Sequence, residues 1–158
     1  MSDAFLEHVN FTVADPAKTA AQLCNWFGWH VRWNGPAKDN GISYHVGSDT
    51  SYVAVYSGGT PVSSDENSYR TLGGMNHVAI VVDDLDATEK KILASGLKTH
   101  NHADYEPGRR FYFHDNDGIE YEVVQYDRTK CNSLSLHVEI RRLLLQSVAG
   151  LGQVSVNQ

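Results

Sequence analysis

The chain has 158 residues, with 13 Lys+Arg against 19 Asp+Glu, a formal charge of −6, and 41% hydrophobic and 20% charged residues. That composition belongs to a globular protein and excludes the disordered and fibrous classes, while the acidic balance excludes a general nucleic-acid binder, whose phosphate contacts need a basic surface. No apolar run nears the ~20 residues that cross a bilayer, the first residues lack the basic and apolar regions of a signal peptide, and two cysteines, Cys24 and Cys131, make no disulfide framework; the expectation is a cytoplasmic protein with no membrane partner.

In chain order, residues 6–15 read LEHVNFTVAD, a β-rich run ending in Asp15. Asp15 as N-cap, Pro16 at the first helical position and Gly28 as terminator predict a helix over Pro16–Phe27. Three strands are predicted next, over Trp29–Asn34, Ile42–Gly47 and Ser51–Ser57. Residues 58–74 are rich in Gly, Ser and Pro and read as a linker. Residues 75–84, MNHVAIVVDD, then repeat the opening: a shift of 69 positions lays His77 on His8, Val78 on Val9, Val82 on Val13 and Asp84 on Asp15. A second helix follows over Leu85–Ser95, capped by Asp83 or Asp84 and ended by Gly96. Three more strands are predicted over Lys98–His102, Arg110–His114 and Ile119–Gln125, the last two joined by a hairpin at Asn116-Asp117-Gly118. The organisation is βαβββ twice, an α+β fold: one domain over 1–127, made of modules 4–57 and 75–127. Residues 128–158 are an extension, in which His137–Val148 has the pattern of a short amphipathic helix.

Strand side chains alternate between faces. One face of each predicted strand is apolar, as in Val9, Phe11 and Val13, or Phe111 and Phe113. The opposite faces collect His8 and Asn10, Tyr52 and Tyr56, His77, Arg110, Tyr112 and His114, and Glu120 and Glu122. A face that was merely wet would favour Lys, Ser and Thr. If these faces meet, the result is a concave, polar-lined site. His8, His77 and Glu122 supply two imidazoles and one carboxylate, which leave a divalent metal open positions for substrate or water. Fe(II), Mn(II), Zn(II), Co(II) and Ni(II) all suit such a set, and the lack of a thiolate argues against structural zinc. Glu120 shares the face and is the rival of Glu122. Trp26, Trp29 and Trp33 read as core or dimer packing.

The segments LEHVNFTVAD, MNHVAIVVDD and RFYFHDNDGIEYEVV resemble the vicinal-oxygen-chelate superfamily, which holds glyoxalase I, extradiol dioxygenases, fosfomycin-resistance transferases and bleomycin-resistance proteins. The resemblance covers about residues 4–127 and implies two βαβββ modules forming a curved mixed sheet around a metal and substrate cavity. It places metal ligands at His8, His77, Ala54 and Glu122. Alanine cannot ligate, which disfavours a glyoxalase I activity; the remaining His-His-Glu set resembles extradiol dioxygenases and fosfomycin-resistance enzymes. Both also place a functional tyrosine where this chain has Tyr112. The loop before Tyr112 and Asn10 depart from the transferases, and an extra catalytic His of the dioxygenases has four candidates here: His45, His100, His102 and His114, with His114 the first to test. The expectation is therefore an enzyme using a divalent metal, Fe(II) or Mn(II) before Zn(II), Co(II) or Ni(II), on a small oxygen-chelating molecule. Tyr112 and His114 would be catalytic, and Asn10, Tyr52, Tyr56, Arg109 and Arg110 would bind substrate. The competing expectation is a metal-free drug- or metabolite-binding protein of the bleomycin-resistance kind. Family members commonly form homodimers, and the sequence leaves open whether His8 meets His77 within one chain or across two.

Overall fold

The computed structural model of the chain describes residues 4–63, 67–106 and 108–126; the helix expected over His137–Val148 lies outside them. The first module runs β1 (His8–Thr12), α1 (Pro16–Phe27), β2 (His30–Pro36), β3 (Ile42–Gly47) and β4 (Tyr52–Ser57). The second runs β5 (Val78–Val81), α2 (Leu85–Ala94), β6 (Thr99–Tyr105), β7 (Gly108–His114) and β8 (Glu120–Tyr126). A short 3-10 turn at Ser68–Arg70 interrupts the linker.

Local chemistry sets the helix ends. Asp15 Oδ1 accepts from the backbone N–H groups of Ala17 and Lys18, both at 3.1 Å, satisfying donors that the first turn leaves unpaired. Gly28, at φ 68°, ends α1 in the left-handed conformation that residues with a Cβ resist. Asp84 caps α2 through the N–H of Ala87 at 2.9 Å. Leu85 N–H donates to Gln125 Oε1 at 2.9 Å, which ties the start of α2 to β8.

Each module forms a four-stranded mixed sheet with the same topology, β1-β4-β3-β2 and β5-β8-β7-β6. The first strand of each lies parallel to the last, and the other pairs are antiparallel. The registers coincide as well: Asn10 pairs with Ala54, and its repeat counterpart Ala79 pairs with Glu122. Ala54 and Glu122 thus occupy the same place in the two copies, and only the second carries a ligand-type side chain.

What the modules share is the helix-covered side. One hydrophobic cluster takes in Phe11, Val13, Leu23 and Trp26 of the first module and Ile80, Ile92, Phe111, Phe113 and Tyr121 of the second. Trp26 is the joint: it is 1% exposed, meets Phe113 edge-on at 5.3 Å, and donates from Nε1 to Ser95 Oγ at 2.9 Å. At the other end of α1, Ala14 N–H donates to Asp117 Oδ1 at 3.1 Å. A tryptophan with a satisfied N–H buries a large apolar area without leaving a polar orphan. The polar faces are left on the outer sides of the two sheets, so within one chain they do not close over a common cavity. β1 and β5 are both edge strands, separated by a cleft of about 370 Å³ lined by both. Among the described residues, no helix is long and apolar enough to cross a membrane.

Candidate functional site

On the outer face of the second sheet, strand register gathers the polar residues. Tyr112 lies beside Glu122, and His114 beside Glu120. His77 stands just before β5 and reaches over the same rows. Its Nε2 is 3.2 Å from Glu122 Oε2, and its ring meets Tyr112 edge-on at 5.7 Å. Glu122 is buried, and its Oε1 accepts from Arg110 Nη1 at 2.8 Å. Arg110 is itself held over the Tyr105 ring at 4.4 Å, a cation–π contact that fixes the guanidinium plane. A buried carboxylate needs such a partner, because an unpaired one is strongly disfavoured.

Tyr69 completes this group, and it comes from the linker. Its hydroxyl donates to Glu120 Oε2 at 2.6 Å and lies 3.4 Å from His77 Nδ1. The bond to Glu120 pushes the Tyr69 hydroxyl up to about 12, with burial adding to it. With its own proton committed to Glu120, Tyr69 Oη is left to accept from His77 Nδ1–H. In the tautomer protonated on Nδ1, Nε2 presents its lone pair to a carboxylate oxygen 3.2 Å away. Two lone-pair atoms at that distance need a proton or a cation between them. Adjacent ligands of a metal bonded at about 2.0–2.2 Å stand about 3 Å apart, so His77 and Glu122 fit a shared divalent ion.

The first sheet presents a different surface. His8 stacks on Tyr52 at 4.8 Å, Tyr52 on His45 at 4.6 Å, and Trp33 tilts over His45 at 4.8 Å. His8 Nδ1 pairs with Glu7 Oε2 at 2.9 Å, and the Arg32 guanidinium sits 4.8 Å over Tyr52. Burial, and then the charges of His8 and Arg32, pull the His45 imidazole below its usual range. An open hollow of about 450 Å³ lies beside this stack, lined by Asn10, Trp33, Lys38, Ser43, His45 and Tyr56. Tyr56 is anchored by donating to the Lys38 carbonyl at 2.9 Å.

The structure therefore brings His77, Glu122, Tyr112 and Arg110 together, and separately Asn10 and Tyr56, with Tyr52 and His8 in the adjoining stack. His8 contacts Glu7, Tyr52 and His45 of its own module and is not gathered with His77 and Glu122. Among the described residues, the set of three ligand groups within 4.8 Å of one another is His100, His114 and Glu120. His114 is placed there, and His102 is turned to Glu89 at 2.6 Å. Arg109 points to the helix side, where Nη2 donates to Asp86 of α2 at 2.6 Å; alternation on β7 separates it from Arg110. Sequence reasoning missed Tyr69, since a linker has no periodicity to reveal which side chain folds back.

A family model described as Glyoxalase/Bleomycin resistance protein/Dioxygenase superfamily matches residues 5–123. The chain belongs to that superfamily. Its paired βαβββ modules recur in the superfamily's solved structures. A glyoxylase/bleomycin resistance protein/dioxygenase domain from Frankia sp. is 18% identical, with a TM-score of 0.67 over 80% of this chain and 100% of that one. The fosfomycin resistance protein FosX from Listeria monocytogenes, complexed with Mn(II) and sulfate, is 22% identical, with a TM-score of 0.62 over 81% and 97%. TnmS3, an antibiotic binding protein from Streptomyces sp., is 16% identical, with a TM-score of 0.59 over 80% and 99%. No curated relative matches the chain. At these identities the solved structures speak to the superfamily fold alone.

Proposed function

We propose that this superfamily member is a divalent-metal-dependent enzyme acting on a small molecule that presents two neighbouring oxygens. Its ligands would be His77 and Glu122 of one chain and His8 of a second copy in a homodimer. The observation that carries the reading is the His77–Glu122 contact at 3.2 Å, with Tyr69 occupying the far side of the imidazole. Two further features support the second copy. His8 is 40% exposed on a separate sheet, and β1 and β5 are each the edge strand of their sheet. The Mn(II) bound by the structurally similar FosX supports Mn(II) or Fe(II) as the first metals to try.

Bound at this site, the metal would supply Lewis acidity toward the substrate oxygens. The chain's own groups do the rest. Tyr69 holds His77 in the tautomer whose Nε2 is free. Arg110 donates to one oxygen of Glu122, which leaves the second directed at His77. Burial, and then the bond to Glu122, push the Tyr112 hydroxyl above its usual range, so Tyr112 keeps its proton at neutral pH and would offer a hydrogen bond to a substrate oxygen. Asn10, Tyr56 and the Tyr52 stack would form the wall supplied by the partner's first sheet. The His-His-Glu set with Tyr112 supports extradiol-type dioxygenation as the first reaction to assay, and a fosfomycin-resistance-like transfer as the second.

Metal content after chelation and reloading tests the reading. His8→Ala and Glu122→Ala should each lose the ion, and co-refolding the two variants should restore one site per mixed dimer. Loss in neither variant, or no recovery on mixing, overturns it. The aromatic stack on the first sheet favours a second reading, metal-free sequestration of a planar drug or metabolite, as the antibiotic-binding TnmS3 suggests. Ligand affinity unchanged by chelation would select it.

A further inference from the structure

The geometry points to a second metal site, which we propose at His100, His114 and Glu120, for a first-row ion of the Zn(II) type. It uses neither His77 nor Glu122 and shares with the reading above only Tyr69, which touches both Glu120 and His77. His100 Nε2 lies 3.2 Å from His114 Nδ1, with the two rings stacked at 5.3 Å. Glu120 Oε1 faces both imidazoles, 3.9 Å from His100 Nε2 and 3.9 Å from His114 Nε2. Those separations are too long for hydrogen bonds. The two His114 distances belong to different ring nitrogens; with one nitrogen taken from each imidazole, the three ligand atoms lie within 4.8 Å of one another, so small side-chain rotations would close them on an ion bonded at about 2.0–2.2 Å.

Two features show that the arrangement is built. Tyr69 pins Glu120 Oε2 at 2.6 Å, so the other oxygen of a buried carboxylate is held toward the histidines. The second is a bulge in β6, where the register slips between His100 and Ala103. Regular alternation would put His100 and His102 on one face. Instead Asn101 takes φ 51°, in the left-handed region that a side chain resists, and the two histidines part. His102 goes to Glu89 on the helix side, and His100 goes to His114. A bulge of this kind re-aims a single side chain at a local cost.

The donor set is two imidazoles and one carboxylate, which suits Zn(II), Co(II), Ni(II) or Cu(II) and disfavours Mg(II) and Ca(II). His114 is 52% exposed, so a fourth position opens to water or to a small ligand atom. Three protein ligands with one open position are the arrangement of a reactive zinc site, whereas a structural site is closed by four.

Zn(II) titration of the chelator-stripped full chain, followed by calorimetry and elemental analysis, reads this directly. The His100→Ala/His114→Ala double variant should lose one equivalent, and E120Q should weaken that equivalent at least tenfold. H77A and E122Q should leave it in place. Both histidines are partly exposed, so the double variant should fold, and E120Q gives a second reading if it does not. Unchanged Zn(II) stoichiometry and affinity in the double variant and in E120Q overturns the proposal. An equivalent lost in E122Q but kept in the double variant also overturns it and leaves the His77–Glu122 reading standing; the reverse pattern separates them the other way.

Discussion

Replacing Tyr69 by Phe removes a single oxygen atom from a half-exposed side chain, yet that oxygen touches both carboxylate and imidazole. It donates to Glu120 at 2.6 Å and accepts from His77 Nδ1 at 3.4 Å. A hydrogen bond to a charged group is worth about 1.5–3 kcal/mol when dry. With Tyr69 59% exposed, solvent replaces part of that, and the loss of folding stability should be about 1 kcal/mol or less. The effect on metal affinity should be larger. Groups that orient a ligating imidazole typically change affinity 10- to 100-fold when removed, about 1.4–2.7 kcal/mol at 1.36 kcal/mol per tenfold step. The assay is Mn(II) or Co(II) titration of wild type and Tyr69→Phe under one buffer, with urea unfolding run alongside. A stability loss below ~1 kcal/mol with a tenfold or greater loss of affinity for the His77–Glu122 ion is expected. Equal affinity in the two proteins would refute the orienting role and, with it, the argument from tautomer to metal.

Trp26→Ala should destabilise the chain by about 3–5 kcal/mol, because it removes a fully buried ring and the bond to Ser95; chemical denaturation measures it, and a loss below 1 kcal/mol would mean that the modules do not depend on this joint. Asp15→Ala removes the acceptor of two first-turn N–H groups and should cost about 1 kcal/mol, readable in the same experiment. Burial pushes the Asp115 carboxyl above its usual value of 3.8, against the N–H groups of Ile119 and Asp117 and the Tyr121 hydroxyl, which favour the ionised form. The folded state therefore binds this proton more tightly than the unfolded state, and the associated stability is present at acid pH and lost as pH rises through the folded value. Asp115→Asn keeps an acceptor for the N–H groups of Asp117 and Ile119, so its stability relative to wild type should improve from pH 4 to pH 7. A difference that is flat, or that falls with pH, would contradict the sign.

The repeat was legible because it is written locally. A shift of 69 positions aligns the His-Val pairs and the helix-capping aspartates, and capping chemistry acts within three or four residues. Hence α1 falls on Pro16–Phe27 as its cap and terminator require, and α2 ends at Ala94, one residue short of the expected Ser95. The equivalence of Ala54 with Glu122 came from the family resemblance, since a shift of 69 positions sets Ala54 against Val123; in the strand registers the two pair alike, Ala54 with Asn10 and Glu122 with Ala79. Arg109 and Arg110 were not separable by composition, although strict alternation sends one to Asp86 and the other to Glu122.

The sequence by itself determined the two βαβββ modules, the apolar face of each sheet and the pool of imidazoles and carboxylates on the other face. Those depend on side-chain periods of two and on local capping, which a linear reading can count. The tertiary structure alone decided that the modules pack through their helix sides, so that His8 and His77 face outward on different sheets. It decided, too, that a linker tyrosine folds over Glu120, and that a bulge at Asn101 sends His100 and His102 to opposite faces. Each of these turns on contacts between residues far apart in the chain, or on one strained backbone angle, and neither is encoded in a hydrophobic pattern.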